Sequence, residues 1–206
     1  MPKKEANLKS KIKSTVETYN KIAQLYTEST KNKLLQFQLS HFISMIPKKG
    51  RILDAGCGCG RDSAYLKEDG LEVISIDFSV GLIEEAKKLN VEVKKEDLLK
   101  IKYKEEFDGI WCMATLGDIP KSESKKLIKN LSNALKKGGI IYLAVKEGEG
   151  EKIISKEEYD NIPRTYVFYK KEELENLLKE NGFKIIESNL SNDEGTNWIE
   201  TFAKKG

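Results

Sequence analysis

Residues 51–79, RILDAGCGCGRDSAYLKEDGLEVISIDFS, constrain the fold more than any other stretch. An apolar run (Ile52, Leu53) ends in Asp54, and glycines follow at every second position, Gly56, Gly58 and Gly60. A helix-like segment runs from Arg61 to about Asp69, and a second apolar run, Val73 to Ile76, ends in another acid, Asp77, 17 residues beyond Gly60. The order is strand, tight loop, helix, strand. Glycine lets the backbone take positive φ and lets another group approach the main chain closely. Such a unit is one half of a doubly wound sheet, built to hold a nucleoside at the mouth of its first strand.

The two acids narrow the ligand. Asp77, at the end of the second strand, is placed to accept charge-assisted hydrogen bonds from the two hydroxyls of a ribose. A pyrophosphate-binding fold wants Gly-x-Gly-x-x-Gly with phosphate at the helix N-terminus. Here the spacing is Gly-x-Gly-x-Gly, and Asp54 stands two residues before the first glycine, where it would repel phosphate and attract an ammonium. A nicotinamide oxidoreductase is therefore disfavoured.

On residues 54–60 and Asp77, the chain resembles the class I S-adenosylmethionine-dependent methyltransferases, whose acid-Gly-x-Gly-x-Gly loop wraps the methionine part of the cofactor. The rest of the chain carries the same pattern. A helix is expected over about 80–89, a third strand over 91–93 followed by Asp97, and a fourth, FDGIWCM, over 107–113. A helix from 122 to 136 stops at Gly138 and Gly139, and a fifth strand covers 140–145. A helix over 171–181 and a hairpin of strands, 183–188 and 197–203, complete the core. Alternation of this kind gives a parallel sheet with helices on both faces. The resemblance covers roughly 47–204 and implies an α/β, doubly wound, seven-stranded, mostly parallel sheet of the Rossmann-like methyltransferase type with an antiparallel last strand.

Two amphipathic helices, about 8–28 and 31–46, precede this core and are expected to form an N-terminal helical lid. Residues 146–169 break the rhythm: they begin with a flexible charged run, KEGEGE, end with PRTYVFYK, and read as a second lid insert. At 206 residues the whole chain, 1–206, is expected to be a single domain, with the lid over 1–46 and the core over 47–204.

The resemblance also implies a site. Besides Asp54, Gly56, Gly58 and Asp77, it places Asp97 at the adenine amino group and the Leu98 backbone at the ring, with Phe78 against the adenine face. Cys57 and Cys112 fall among the same cofactor-facing positions. Arg61, in a GRD ending similar to the tellurite-resistance and thiol methyltransferase branch, either faces the cofactor carboxylate or begins a surface helix. Tyr19 and Tyr26 either cover the cofactor or pack their helix. Lys146, Arg164, Tyr166 and Tyr169 are candidates to hold an anionic or aromatic acceptor, with cation–π help. Asp118 is a candidate polar group at the pocket mouth.

In-line methyl transfer requires geometry before it requires a catalytic side chain. A base is needed only where the nucleophile arrives protonated, and none is assigned. Cys112 follows Trp111, not proline, and reads as a buried strand residue instead of a nucleophile; the single histidine, His41, reads as structural. Cys57 and Cys59 lack the partners of a zinc site, so no metal is expected.

Composition bounds the partners. Lys and Arg total 36 against 33 acids, a net of +3, which is not the footprint of a dedicated nucleic-acid binder. Three cysteines make no disulfide framework, and no apolar stretch reaches bilayer length. A cytoplasmic, non-membrane protein is expected, a monomer or weak homodimer. It would transfer methyl groups from S-adenosyl-L-methionine to a small molecule, leaving S-adenosyl-L-homocysteine. An RNA or protein methyltransferase and a non-catalytic S-adenosylmethionine-binding protein remain as alternatives.

Overall fold

The computed structural model describes residues 2–206, with side chains from residue 10 onward. Met1 of the expected 1–46 lid and the side chains of 2–9 lie outside the described residues.

The helices are α1 (Pro2–Thr30), α2 (Gln36–Ser44), α3 (Arg61–Glu68), α4 (Val80–Lys87), α5 (Lys121–Ala134) and α6 (Lys171–Glu180). The strands are β1 (Arg51–Ala55), β2 (Glu72–Asp77), β3 (Val93–Lys95), β4 (Phe107–Met113), β5 (Leu135–Lys146), β6 (Glu151–Ile154), β7 (Arg164–Val167), β8 (Phe183–Asp193) and β9 (Thr196–Lys205). Seven of them form one sheet in the order β3-β2-β1-β4-β5-β9-β8. β9 runs antiparallel to both of its neighbours, while the pairs from β3 to β5 are parallel. This is the expected methyltransferase-type sheet. Strand order reverses between β1 and β4, and the carboxyl ends at that switch open a crevice.

Alternation along β4 assigns its side chains to two cores, as a sheet buried on both faces requires. Ile110 and Cys112 join Leu127 and Leu131 of α5 and Leu174 of α6. Trp111 faces the other way, with Leu39 and Phe42 of α2 and with Phe202. Its ring stacks on Tyr142 at 4.0 Å between centroids, and its indole N–H donates to Asp62 Oδ2 at 2.9 Å. Both Trp111 and Tyr142 are fully buried.

Several boundaries depart from the sequence reading. α5 ends at Ala134 and β5 begins at Leu135, not 140, so Gly138 and Gly139 lie inside the strand and do not stop the helix. β8 runs on to Asp193, beyond the expected 188. α2 begins at Gln36, not 31, because Leu35 leaves helical geometry (φ −81°, ψ 63°). β3 begins at Val93, not 91, since Val91 packs against the glycine loop; a methyl on Gly60 would lie 3.1 Å from its Cβ. Within 146–169, β6 and β7 pair antiparallel, Glu151 opposite Val167 through Ile154 opposite Arg164. One acid of the run that suggested flexibility is tied down: Glu151 pairs with Lys11 of α1 at 2.7 Å and accepts the Lys121 backbone N–H at 3.0 Å.

Trp111→Ala is expected to cost about 3 to 5 kcal/mol in urea unfolding, the range for emptying a large aromatic site, and it also strips Asp62 of a buried donor.

Candidate functional site

The loop after β1 is fixed by its backbone. Gly56 and Gly58 have φ of +79° and +55°, and the Gly56 and Cys57 N–H groups both donate to the Ile76 carbonyl, at 2.9 and 3.0 Å. A side chain at Gly56 would also meet Thr115 Oγ1 at 2.4 Å. At Gly58 the nearest atoms to an added Cβ, Tyr26 Cε1 and Leu82 Cδ1, are 3.9 and 4.0 Å away, so a side chain there would enter the crevice.

That crevice is a cleft partly open to solvent, with about 110 Å³ of room for water-sized groups. Its floor is Gly56, Gly58, Asp77, Phe78 and the 96–98 turn; its far wall is Met113 to Thr115, Asp118 and Ile119. α1 roofs it with Ile12, Thr15, Val16, Tyr19 and Tyr26. α1 is held close to α4 by Asn20, whose Oδ1 accepts from Ser79 Oγ (2.8 Å) and the Gly81 N–H (3.0 Å). Only glycine fits at 81, where a Cβ would lie 2.9 Å from the Asn20 backbone.

Asp77 is the best placed acid. Oδ2 accepts the Gly58 N–H at 2.9 Å and Oδ1 the Ser79 N–H at 2.8 Å, which leaves lone pairs on both oxygens toward the cleft. Burial raises its pKa, and these backbone donors oppose that rise. Asp97 lines the cleft but is engaged in its own turn, with the Leu99 N–H on Oδ1 (3.0 Å) and Lys100 Nζ on Oδ2 (2.8 Å). Leu98, Phe78, Tyr19 and Tyr26 also face the cleft. The two tyrosines meet edge to face at 5.4 Å.

Other expected site residues stand elsewhere. Asp54 is 2% exposed beneath the loop. Ser63 Oγ donates to its Oδ2 at 2.6 Å and so can only accept from Ser75, 2.7 Å away. Burial, reinforced by the charge of Asp62, raises Asp54 to about 8, so it is a sealed and largely neutral carboxyl instead of an open partner for an ammonium. Arg61 is structural as well. Its Nε pairs with Asp62 at 2.7 Å and its Nη1 donates to the Thr30 carbonyl at 2.9 Å, capping the end of α1. Cys57 and Cys112 do not line the cleft. Burial pushes the Cys112 thiol up to about 12, which suits a core residue and not a nucleophile. Tyr169 is 1% exposed in the α5–α6 core with its hydroxyl 2.5 Å from Ser124, removing it from any acceptor pocket.

Lys146, Arg164 and Tyr166 sit one layer behind the far wall. The Arg164 guanidinium lies over the rings of Tyr19 (4.8 Å) and Tyr166 (4.0 Å), with Nε 3.8 Å from Asp118 Oδ1. Tyr19 donates to Asp118 Oδ2 at 2.6 Å. This contact joins α1 to the turn after β4 across 99 residues, and no local signal announces it. The stripe of Ile12, Val16, Tyr19 and Tyr26 at helical spacing was the available signal for the roof. Thr15 and Thr115 carried none.

The methyltransferase domain family model matches residues 26–188. The chain belongs to that family. Among curated relatives, the ubiquinone biosynthesis O-methyltransferase of Coxiella burnetii is 32% identical over 115 residues, 52% of this chain and 48% of that protein. The chain thus aligns with about half the length of that relative. The tRNA U34 carboxymethyltransferase of Campylobacter jejuni is 26% identical over 201 residues, 89% of this chain and 68% of that one. Among solved structures, the 1,6-didemethyltoxoflavin-N1-methyltransferase of Burkholderia thailandensis superposes with a TM-score of 0.74 at 20% identity, covering 100% of this chain and 90% of that one. That enzyme was crystallised with 1,6-didemethyltoxoflavin and S-adenosylhomocysteine.

The sealed carboxyl gives a pH test. In the unfolded chain Asp54 ionises near pH ~4, whereas in the folded chain it holds its proton to about pH 8. Between those values the folded state binds the extra proton, so this group makes stability fall as pH rises. Asp54→Asn, neutral throughout, should raise the melting temperature relative to the native chain by an amount that grows from pH 5 to pH 8, read by differential scanning calorimetry.

Proposed function

We propose that this chain transfers a methyl group from S-adenosyl-L-methionine to a small-molecule acceptor. The observation that carries the reading is the pairing of Asp77, an acid with free lone pairs at the end of β2, with the side-chain-free wall at Gly58 in one cleft. This donor set fits the cofactor: Asp77 would take the ribose hydroxyls, Phe78 and Leu98 the adenine faces, and Gly56 and Gly58 the methionine backbone. When bound, the cofactor supplies an electrophilic methyl carbon on a sulfonium.

The chain's own work is positional. Tyr19, Tyr26 and Val16 exclude water from above, and the turn after β4 presents Asp118 to whatever occupies the far end of the cleft. Burial raises the Asp118 carboxyl above its ordinary range, while Arg164 and the Tyr19 hydroxyl hold it down. The result is an acceptor of hydrogen bonds that fixes the orientation of a bound hydroxyl or amine. Asp54 lies outside this assignment because its carboxyl is sealed below the loop.

The relation to a tRNA carboxymethyltransferase over most of the chain favours one competing reading, an RNA acceptor. The near balance of 36 basic and 33 acidic residues weighs against it. An affinity for tRNA that falls steeply with salt would favour the RNA reading over the small molecule.

Calorimetric titration with S-adenosylhomocysteine, run beside NADH, is expected to show micromolar binding of the first alone. Asp77→Ala should weaken that binding about tenfold or more, ~1.5 to 3 kcal/mol for lost charge-assisted hydrogen bonds. Unchanged affinity in a folded Asp77→Ala chain would take Asp77 out of the site.

A further inference from the structure

Behind the far wall lies a cationic cluster that cofactor binding does not use. The Arg164 side chain is only 10% exposed, yet its Nε and Nη1 are buried with no hydrogen-bond partner. A guanidinium carries five N–H donors in a rigid fork, and leaving them unmet in the interior is costly. The two tyrosine rings beside it accept no in-plane hydrogen bond, so the Nε and Nη1 donors stay unmet apart from the 3.8 Å approach of Nε to Asp118 Oδ1.

Lys146, the last residue of β5, stands beside the same cluster. Its ammonium lies 4.7 Å from the centroid of Tyr166, the ring that also carries Arg164, and 5.5 Å from that of Trp198. No acid among the described residues forms an ion pair with it. Burial, with the positive charges of Lys156 and Arg164, lowers its pKa to about 8. Lys156 has its own partner, Glu158 at 2.9 Å. Asp118 is the one carboxylate within ion-pair reach of Arg164 among the described residues, and its other oxygen is taken by Tyr19. Two cations therefore face one committed anion. One negative charge is missing.

The position matters as much as the charge. The turn after β4 lines the cleft, and its Asp118 belongs both to the cleft wall and to the cluster, while Lys146, Arg164 and Tyr166 stand behind that wall. Lys146 and Trp198 are only half-buried, so the cluster is reachable from their side.

We propose that Arg164 and Lys146 form an oxyanion-binding subsite for the methyl acceptor, which is accordingly a small organic acid bearing a carboxylate or phosphate. This rests on the methyl-transfer reading and deepens it. The anion meets the Arg164 fork edge-on, as guanidinium–carboxylate and guanidinium–phosphate pairs do, and Lys146 supplies the second charge. The remainder of the acceptor then runs along Asp118 toward the cleft.

The test uses the full chain saturated with S-adenosylhomocysteine, titrated with benzoate, phenyl phosphate and the neutral isostere benzamide. Binding is followed by calorimetry and by the change in tryptophan fluorescence, to which Trp198 beside Lys146 and the core residue Trp111 both contribute. At least one acid is expected to bind tenfold or more tighter than benzamide, and the tighter of the two names the oxyanion. Lys146→Met, at a half-buried site, should abolish the preference with S-adenosylhomocysteine affinity unchanged; Arg164→Lys should reduce it through loss of the fork. Equal affinity for acid and amide, or a preference that survives Lys146→Met, overturns the subsite while leaving the cofactor reading intact. Failure to bind S-adenosylhomocysteine at all overturns the methyl-transfer reading and the subsite with it.

Discussion

The structure depends on how the loop after β1 is tied to the end of β2. Two loop N–H groups share the Ile76 carbonyl, and a third, from Gly58, is taken by the Asp77 side chain. Those bonds require left-handed backbone at Gly56 and Gly58, which side-chain-bearing residues adopt only at a cost. The same bonds that complete the parallel pair therefore aim Asp77 into the cleft. Fold and site are set by one arrangement of backbone donors, so neither can be perturbed there without the other.

A second tie runs outward from the loop. Arg61 reaches up to the last carbonyl of α1 and down to Asp62, and Asp62 in turn receives the indole N–H of Trp111 in the core. The roof is thereby linked through one guanidinium and one carboxylate to the most buried aromatic stack. The buried carboxylate Asp62 is tolerated because donors meet both of its oxygens. Asp54, with the Ser63 hydroxyl as its one side-chain partner among the described residues, is held largely protonated instead.

The seven strands of the main sheet, their order of appearance and the loop were legible because glycine spacing, apolar runs and terminal acids are local signals. Asp77 and the α1 stripe could be placed for the same reason, whereas Phe78 and Leu98 were placed only by the family resemblance. What escaped was set by contacts distant in sequence. Asp54 looks like a ligand from its spacing alone, and only the third dimension reveals Ser63 and Ser75 closing over it. Arg61 looks like a cofactor contact until α1 arrives beside it. The KEGEGE run read as flexible because charge patterns do not say which acids will find partners, and Glu151 finds Lys11 140 residues away.

The roof has a kinetic meaning. α1 crosses the cleft and is fastened along its length: Asn20 to α4, Thr18 to the Pro163 carbonyl at 3.3 Å, and Lys11 to β6. A ligand enclosed beneath Tyr19 and Tyr26 leaves when some of those fastenings let go, and only the non-helical stretch 31–35 joins this helix to α2. Residence time in the cleft is then governed by the local stability of a surface helix as well as by the contacts the ligand makes.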